Sequence, residues 1–315
     1  MYKRQAQRIH YDFRLDQEDW RAIVEICQAV DGLPLALELA ATWLEGMSCQ
    51  EIAQVLQGEA QSGLDFLATA LRNVPQRHQR LRTVFDASWR LLTVQEQVGV
   101  AQLAIFRGGC ERAAALAITT LRLPDLNGLV AKSFVQRDET GRIAMHELLR
   151  QYAAEQLGAL IAAQQTTAVT LYERYSRYYL ELLATLEPQF NPQVPLGKEG
   201  RVLVQWQREL DNVRQAWRWA VDQGASDLLD RALAGYARLY GGVGLFAEGA
   251  MLMGYTLSRL QANMPTEENS AIYRRLLGRL LVEQATFLNA QAHYGAAVTA
   301  LEAALPWLPR NRDRA

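Results

Sequence analysis

The chain has 315 residues, 50% of them hydrophobic, and its 33 basic and 34 acidic side chains leave a formal net charge of −1. A chain of this length can form two or three domains, each with its own hydrophobic core. Because the charges balance, the chain lacks the strong overall positive charge with which many proteins bind nucleic acid or anionic membranes.

The three cysteines, Cys27, Cys49 and Cys110, lack the close spacing of a zinc site or a redox pair. Such a pattern is typical of a reducing compartment, so we predict a cytoplasmic protein. The most apolar stretch, residues 33–44, is interrupted by Glu38, and no membrane-spanning helix is expected. The first residues resemble the end of a preceding domain, so the chain is expected to be part of a longer protein.

Apolar residues recur at helical spacing along most of the chain, which predicts a mainly helical protein. Residues 16–75 are expected to form a small helical bundle. Its first helix should turn one apolar stripe to the core, formed by Trp20, Ile23, Val24, Cys27 and Val30. Further helices are predicted after Pro34, after a capping box at Ser48 and Glu51, and near residues 64–71.

A polar stretch at residues 75–80 is predicted to connect this bundle to a second unit at residues 81–162. In that unit, short helices precede the strongest strand signal of the chain, at residues 133–137 and 142–145. Two such strands around an acidic, glycine-bearing turn predict a β-hairpin, and a further helix follows it. This order of helices and hairpin is that of a winged-helix domain.

Residues 165–315 again have helical spacing, and their last part is typical of a tetratricopeptide repeat. The residues at the repeat's offsets are Leu281, Ala285, Leu288, Ala292, Tyr294, Ala297, Leu301, Ala304 and Pro309. We expect a superhelix of such repeats that is truncated at its end. The outer apolar face of its last helix, including Leu305 and Leu308, should therefore be exposed.

Motifs for independent catalysis are absent from the sequence. There is no phosphate-binding GxxxxGK(S/T) loop and no Rossmann glycine fingerprint. The four histidines, at positions 10, 78, 146 and 293, are far apart and form no helical ligand pair, and no serine lies in a nucleophile elbow. We therefore predict no catalytic residue, no metal site and no enzymatic activity for this chain alone.

Four segments, taken in order, carry a resemblance to a known family. They are EICQAVDGLPLALELAATWL, LRTVFDASWRLLTVQEQ, LAIFRGGC and LVAKSFVQRDETGRIAMHELLRQYA. Together they resemble the regulatory half of the STAND or NB-ARC class of signal-transducing NTPases. The resemblance is closest to bacterial members that carry a transcription-regulator domain and tetratricopeptide repeats. It covers residues 5–160 and is weaker over residues 165–315.

The resemblance implies a particular order of domains. In that family a P-loop domain precedes a helical bundle with a Gly-x-Pro motif, a winged helix that ends in a Met-His-Asp motif, and a superhelical sensor. Here Gly32 and Pro34 match the first motif. Met145 and His146 match the second, with Glu147 in the place of aspartate.

By this resemblance, Gly32, Pro34 and His146 are expected to contact ADP or ATP in a full-length, ATP-hydrolysing switch. An imidazole N–H can donate to a β-phosphate oxygen and so couple the winged helix to the nucleotide. Local roles remain open, because the His146 side chain could find its hydrogen-bond partner at the hairpin–helix junction, and Pro34 could simply begin a helix. Residues 1–15 would be the tail of the missing nucleotide-binding domain. That domain would hold Mg, and this chain alone should bind no nucleotide tightly.

Charge argues against direct contact between the winged-helix unit and nucleic acid. Between residues 81 and 160, nine basic residues stand against eight acidic ones, and Asp138 and Glu139 lie in the hairpin turn. The expected partners are a protein or small-molecule inducer on the superhelical region, the upstream nucleotide-binding domain, and further copies in the active state. The alternative function is a free-standing helical-repeat adaptor that does not depend on nucleotide.

Overall fold

The computed structural model describes residues 17–29, 34–62, 76–164, 167–185, 204–262 and 270–307. Over these ranges the protein is mainly α-helical with one two-stranded sheet, which confirms the predicted fold class. The chain divides into two compact units, Met1–Thr167 and Ala168–Ala315.

The first unit begins with helices α1 (Gln17–Ala29), α2 (Pro34–Thr42) and α3 (Cys49–Ser62), and a short 3-10 turn follows α2. The predicted capping box before α3 is confirmed. The Ser48 N–H donates to Glu51 Oε2 at 2.7 Å, and the Glu51 N–H donates to Ser48 Oγ at 3.3 Å. These reciprocal bonds satisfy backbone amides that the first helical turn would otherwise leave unpaired.

The apolar stripe predicted for the core side of α1 is wrong in part. Trp20 is 58% exposed and Val24 is 46% exposed, whereas Ile26 is fully buried. Two apolar stripes run side by side along this helix, and packing against α3 selects the one that contains Ile26. Val30 and the helix predicted near residues 64–71 lie outside the described residues.

The first unit continues with α4 (Gln76–Arg90), α5 (Val94–Leu103), α6 (Arg112–Ile118), α7 (Leu123–Ala131), β1 (Gln136–Arg137), β2 (Ile143–Ala144) and α8 (Glu147–Ala162). The connector predicted at residues 75–80 is wrong, because α4 begins at Gln76. A proline before a polar run favours the start of a helix as well as a break. Four of the five polar residues that follow it here are glutamine or arginine, which are good helix formers.

The β-hairpin is anchored to the loop before α6. Its two strands pair with Arg137 opposite Ile143. Cys110 adds a β-bridge to Ile143 through two N–H···O bonds of 2.8 Å. The buried Arg142 donates to the carbonyl of Gly109 at 2.9 Å. The start of α8, which follows β2 after two residues, is therefore held in place by the hairpin.

The described part of the second unit contains α9 (Ala168–Ala184), α10 (Leu210–Asp222), α11 (Ser226–Gly242), α12 (Phe246–Ala262), α13 (Ser270–Ala290) and α14 (Tyr294–Ala304), and a 3-10 turn (Leu305–Trp307) follows α14. Neighbouring helices pack closely where one of them carries a glycine. A Cβ atom at Gly235 would lie 2.0 Å from the carbonyl oxygen of Leu183. A Cβ atom at Gly249 would lie 2.8 Å from the ring of Phe287. These contacts join α11 to α9 and α12 to α13.

Large apolar side chains lie on the outer face of the last helix, where Tyr294 is 64% exposed and Val298 is 53% exposed. The predicted exposure of Leu305, in the 3-10 turn after α14, is confirmed, because this residue is 67% exposed. Leu308 lies outside the described residues.

Candidate functional site

The Gly-x-Pro motif is described only at its proline. Pro34 is the first residue of α2, a position that suits the fixed φ and missing N–H of proline, and it is exposed. Gly32 lies outside the described residues. Among the residues that the structure describes, no hydrogen bond or ion pair joins Pro34 to His146. A contact between Pro34 and a nucleotide stays a prediction.

His146 caps the N-terminus of α8. Its backbone is extended (φ −60°, ψ 139°), and its Nδ1 accepts a hydrogen bond of 3.3 Å from the Leu148 N–H. A ring nitrogen that accepts carries no proton, so in the neutral imidazole the N–H is on Nε2. The side chain is exposed. In this tautomer the ring's one donor, Nε2–H, is on the nitrogen that the cap does not use.

The two roles considered for His146 use different ring nitrogens. The bond from Leu148 shows that the local role, at the junction between hairpin and helix, is present. That role occupies Nδ1 and leaves Nε2 for a ligand. The capping bond also fixes the ring's tautomer and limits its rotation, which would prepare the Nε2–H donor for a phosphate oxygen.

Glu147, the residue that replaces the motif's aspartate, is bound by Arg150. The Nη2 and Nε atoms of Arg150 donate to the two carboxylate oxygens at 2.7 and 2.8 Å. Its Nη1 donates to the carbonyl of Ala104, just after α5, at 3.1 Å. The guanidinium lowers the pKa of the Glu147 carboxyl to about 2. The carboxylate next to His146 is thus neutralised by an arginine that also ties α8 to α5.

Replacing Glu147 by glutamine should lower the melting temperature at neutral pH but not in strong acid. The folded pKa of about 2 lies below the ordinary value of 4.5, so this carboxyl stabilises the folded state above about pH 4.5. The contribution is lost as the pH falls toward 2. Because the side chain is 61% exposed, we expect less than about 1 kcal/mol. Melting curves of parent and variant from about pH 7 to pH 2.5 test this, and a difference that does not change with pH would contradict it.

The second unit contains a cleft of about 330 Å³ between α9, α10, α11 and α13. Its lining residues are Glu173, Arg177, Trp219, Gln223, Gly224, Ala225, Ser226, Asp227, Leu228, Arg231 and Ile272. Arg177 pairs with Glu173 at 3.1 Å, and Arg231 pairs with Asp227 at 3.0 Å. Both pairs lie at the surface, so a ligand can compete for them. Charges of both signs beside the half-buried Trp219 suit a small polar molecule or a peptide segment.

The helix before the hairpin is poorly charged for contact with nucleic acid. α7 carries no basic residue. Arg122, which precedes it, pairs with Asp125 at 3.1 Å, and Lys132, which follows it, pairs with Glu96 at 2.7 Å. Phosphate binding depends on basic side chains that can face the backbone of the nucleic acid. The expectation that this unit does not contact nucleic acid directly stays a prediction with this physical support.

The described ranges contain neither a metal-binding cluster nor a membrane-spanning helix. Side chains of His, Cys, Asp and Glu form no group there that could hold a metal ion. Every helix within those ranges is also too short or too polar to cross a membrane.

The chain is similar to longer proteins of mycobacteria. It is 32% identical over 238 residues to a protein of Mycobacterium tuberculosis (strain H37Rv) provisionally named HTH-type transcriptional regulator Rv0890c, and the match covers 71% of this chain and 25% of that protein. A protein of Mycobacterium bovis with the same kind of name, Mb0914c, is likewise 32% identical over 238 residues. The uncharacterized protein Rv0894 of M. tuberculosis is 32% identical over 164 residues, which are 48% of this chain and 40% of that protein.

The chain spans about a quarter of the length of the first two relatives. No protein-family model and no solved structure matches it.

Proposed function

We propose that this chain is the switch-and-sensor portion of a STAND-type ATPase that acts in bacterial transcriptional regulation in the cytoplasm. The observation that carries the proposal is the geometry of His146, an exposed residue that caps α8 through Nδ1 and so does not use its Nε2 in the cap. The regulatory part is supported by the similarity to a protein named for transcriptional regulation. The P-loop domain would lie upstream of Met1.

The surface around His146 fits a phosphate group. Its Nε2–H is a donor, and the N-terminus of the 16-residue helix α8 adds the positive end of a helix dipole. The nearest carboxylate, Glu147, is paired with Arg150 and so repels an anion only weakly. In the full-length protein the P-loop domain would hold the nucleotide and Mg and supply the hydrolysis chemistry. This chain would contribute His146 as a contact to the phosphates, and Pro34 and Gly32 as contacts on the adenine side of the nucleotide.

Contacts along α8 can transmit a change at His146 to the rest of the winged-helix domain. Arg150 binds the carbonyl of Ala104 at the end of α5. Two residues further along α8, the Tyr152 hydroxyl donates to Asp86 of α4 at 2.7 Å. A nucleotide that holds or releases His146 would therefore act on α4, α5 and α8 together. Movement of a packed domain as one body is a common form of molecular switching.

Recognition of the inducer is assigned to the second unit in this proposal. The cleft beside Trp219 offers charges of both signs and an aromatic surface. Stacked helices also provide extended surfaces for protein partners. The cleft gives specific support to the alternative function as well, a helical-repeat adaptor without nucleotide dependence, because none of its residues belongs to the nucleotide motifs.

The nucleotide content of the full-length protein separates these two functions. The switch predicts that the purified protein, when denatured, releases about one ADP per chain, since the resting form of such a switch is closed on its nucleotide. The adaptor predicts none. The reading frame upstream should also encode a P-loop and an acidic Walker B strand. A full-length protein without these motifs and without bound nucleotide would contradict the proposed switch.

A further inference from the structure

A buried carboxylate on α11 binds two arginines of α13. Asp230 is only 2% exposed. The Nη1 atom of Arg279 donates to Asp230 Oδ1 and to the Asp230 backbone carbonyl, both at 2.7 Å. The Nη2 atom of Arg275 donates to the other carboxylate oxygen, Oδ2. The two arginines are four residues apart in one helix, so they lie on the same face of α13 and converge on a single carboxylate.

The cluster holds one arginine more than the carboxylate requires. A buried carboxylate needs a cationic partner, because an unpaired charge is costly to remove from water. Arg279 supplies that partner through its two bonds to Asp230. Arg275 adds a second positive charge, and its side chain is 57% exposed. The three side chains together therefore place a net charge of +1 at a fixed position on the surface of the second unit.

Most hydrogen-bond donors of the two guanidinium groups are unused. A guanidinium group carries five N–H donors. Among the described residues, Arg275 donates only through Nη2 and Arg279 only through Nη1, and both bind Asp230 alone. The Nε–H and Nη1–H groups of Arg275 thus have no acceptor within that part of the chain. A second carboxylate can bind there without displacing Asp230.

The charge of the surrounding helices favours an anion of low charge. Within α11 and α13, five arginines stand against Asp227, Asp230 and Glu283, although the whole chain is close to neutral. A carboxylate carries one negative charge, equal to the excess of the cluster, and its two oxygens match the planar fork of an arginine. Nucleic acid would need a larger group of basic side chains. The cluster therefore fits a carboxylate best.

The arginine pair lies at the edge of the cleft in the second unit. Arg231, which directly follows Asp230 in α11, lines the cleft. Ile272, which also lines it, precedes Arg275 by three residues in α13. Residues three apart in a helix are neighbours on its surface. A peptide segment in the cleft would therefore have the arginine pair next to it.

We propose that Arg275 and Arg279, positioned by Asp230, bind a carboxylate of an acidic peptide segment at the edge of the cleft. This inference rests on the proposed function for one point only, the assignment of inducer recognition to the second unit, and it names the inducer's chemical class. Arg275 contacts the peptide carboxylate through Nε and Nη1. Asp230 is a positioning residue. Because the contact is electrostatic and lies at the surface, binding should be weak and should fall as salt is added.

Calorimetric titration of the 315-residue chain with acetylated tetraglutamate amide, at low ionic strength, tests the site. The parent should bind this peptide and should not bind acetylated tetraglutamine amide. Arg275→Gln should weaken binding about fivefold, because an ion pair with the peptide is lost. Arg275→Lys keeps the charge but not the planar fork, so its affinity should lie between those of the parent and Arg275→Gln.

Arg274→Gln is the matched control, since it removes the same charge from the neighbouring position of α13. Arg274 is also exposed, but it lies about 100° around the helix from Arg275 and makes no bond to Asp230. Its substitution should change the affinity less than about twofold. Melting curves should be nearly the same for parent and Arg275→Gln, because Arg279 still pairs with Asp230.

Three results would overturn the inference. They are a parent chain that binds no glutamate peptide up to about 1 mM, an equal loss of affinity in Arg274→Gln and Arg275→Gln, and inorganic phosphate that binds more tightly than the peptide. An equal loss would mean general attraction by a basic helix, and the phosphate result would mean another ligand class. These titrations involve no nucleotide, so such a failure leaves the role of His146 in the proposed switch to its own test.

Discussion

Replacing Gly235 by alanine is expected to destabilise the second unit by about 2–3 kcal/mol. An alanine Cβ at this position would lie 2.0 Å from the carbonyl oxygen of Leu183, which is far inside the contact distance of carbon and oxygen. The obstacle is backbone, so a change of rotamer cannot relieve it and α9 and α11 must move apart. The gain in helix propensity from glycine to alanine, about 1 kcal/mol, offsets only part of this cost.

Gly241 provides a matched control in the same helix. A Cβ atom there meets nothing within 4 Å, so Gly241→Ala should leave stability unchanged or raise it by up to about 1 kcal/mol. Urea unfolding of the parent and both variants, followed by circular dichroism, measures the difference. Equal stability of the two variants would show that α9 and α11 do not approach as closely as described.

Local sequence signals were sufficient to predict much of the secondary structure of the first unit. The Ser48 and Glu51 capping box depends on residues three apart, and its bonds are formed as predicted. The buried stripe of α1 is not the predicted one, because helical periodicity gives this helix two apolar stripes, one with Trp20 and one with Ile26. Only the position of the packing partner decides which stripe is buried. The contact of Gly235 with Leu183 could not be predicted from the sequence, because it joins residues 52 positions apart.

The candidate site shows the same division between local and distant contacts. The sequence identified His146 and placed it at the junction of hairpin and helix, where the structure shows it. The pairing of Glu147 with Arg150 could have been predicted from its spacing of three residues in a helix. The bond from Arg150 to Ala104 could not, because it joins backbone and side chain 46 residues apart. That distant bond is what links the motif to the domain.

His146→Ala in the full-length protein should speed the release of ADP and raise output without inducer. A hydrogen bond to a charged phosphate contributes about 1.5–3 kcal/mol, and losing it from the closed state alone would shift the closed-to-open ratio by about 10- to 150-fold. A ligand shifts such an equilibrium only through its different affinity for the two states. The effect should therefore appear as faster release and easier opening, with little change in the fold.

Alanine also removes the cap of α8, which by itself costs about 1 kcal/mol, so a second variant is needed to separate the two roles. His146→Asn supplies this control. The asparagine side-chain oxygen can accept from the Leu148 N–H as an N-cap, but its shorter side chain has no donor at the position of Nε2. It should keep the melting temperature of the parent and still lose the contact with phosphate.

The rate of ADP release from the full-length protein, measured side by side for the parent, His146→Ala and His146→Asn, tests the nucleotide role most directly. If Nε2 binds the phosphate, both variants should release ADP about 10- to 150-fold faster than the parent, with only the alanine variant less stable to heat. If His146 acts only as the cap of α8, release should be unchanged in both variants while the alanine variant alone melts earlier, and that result would contradict the proposed switch.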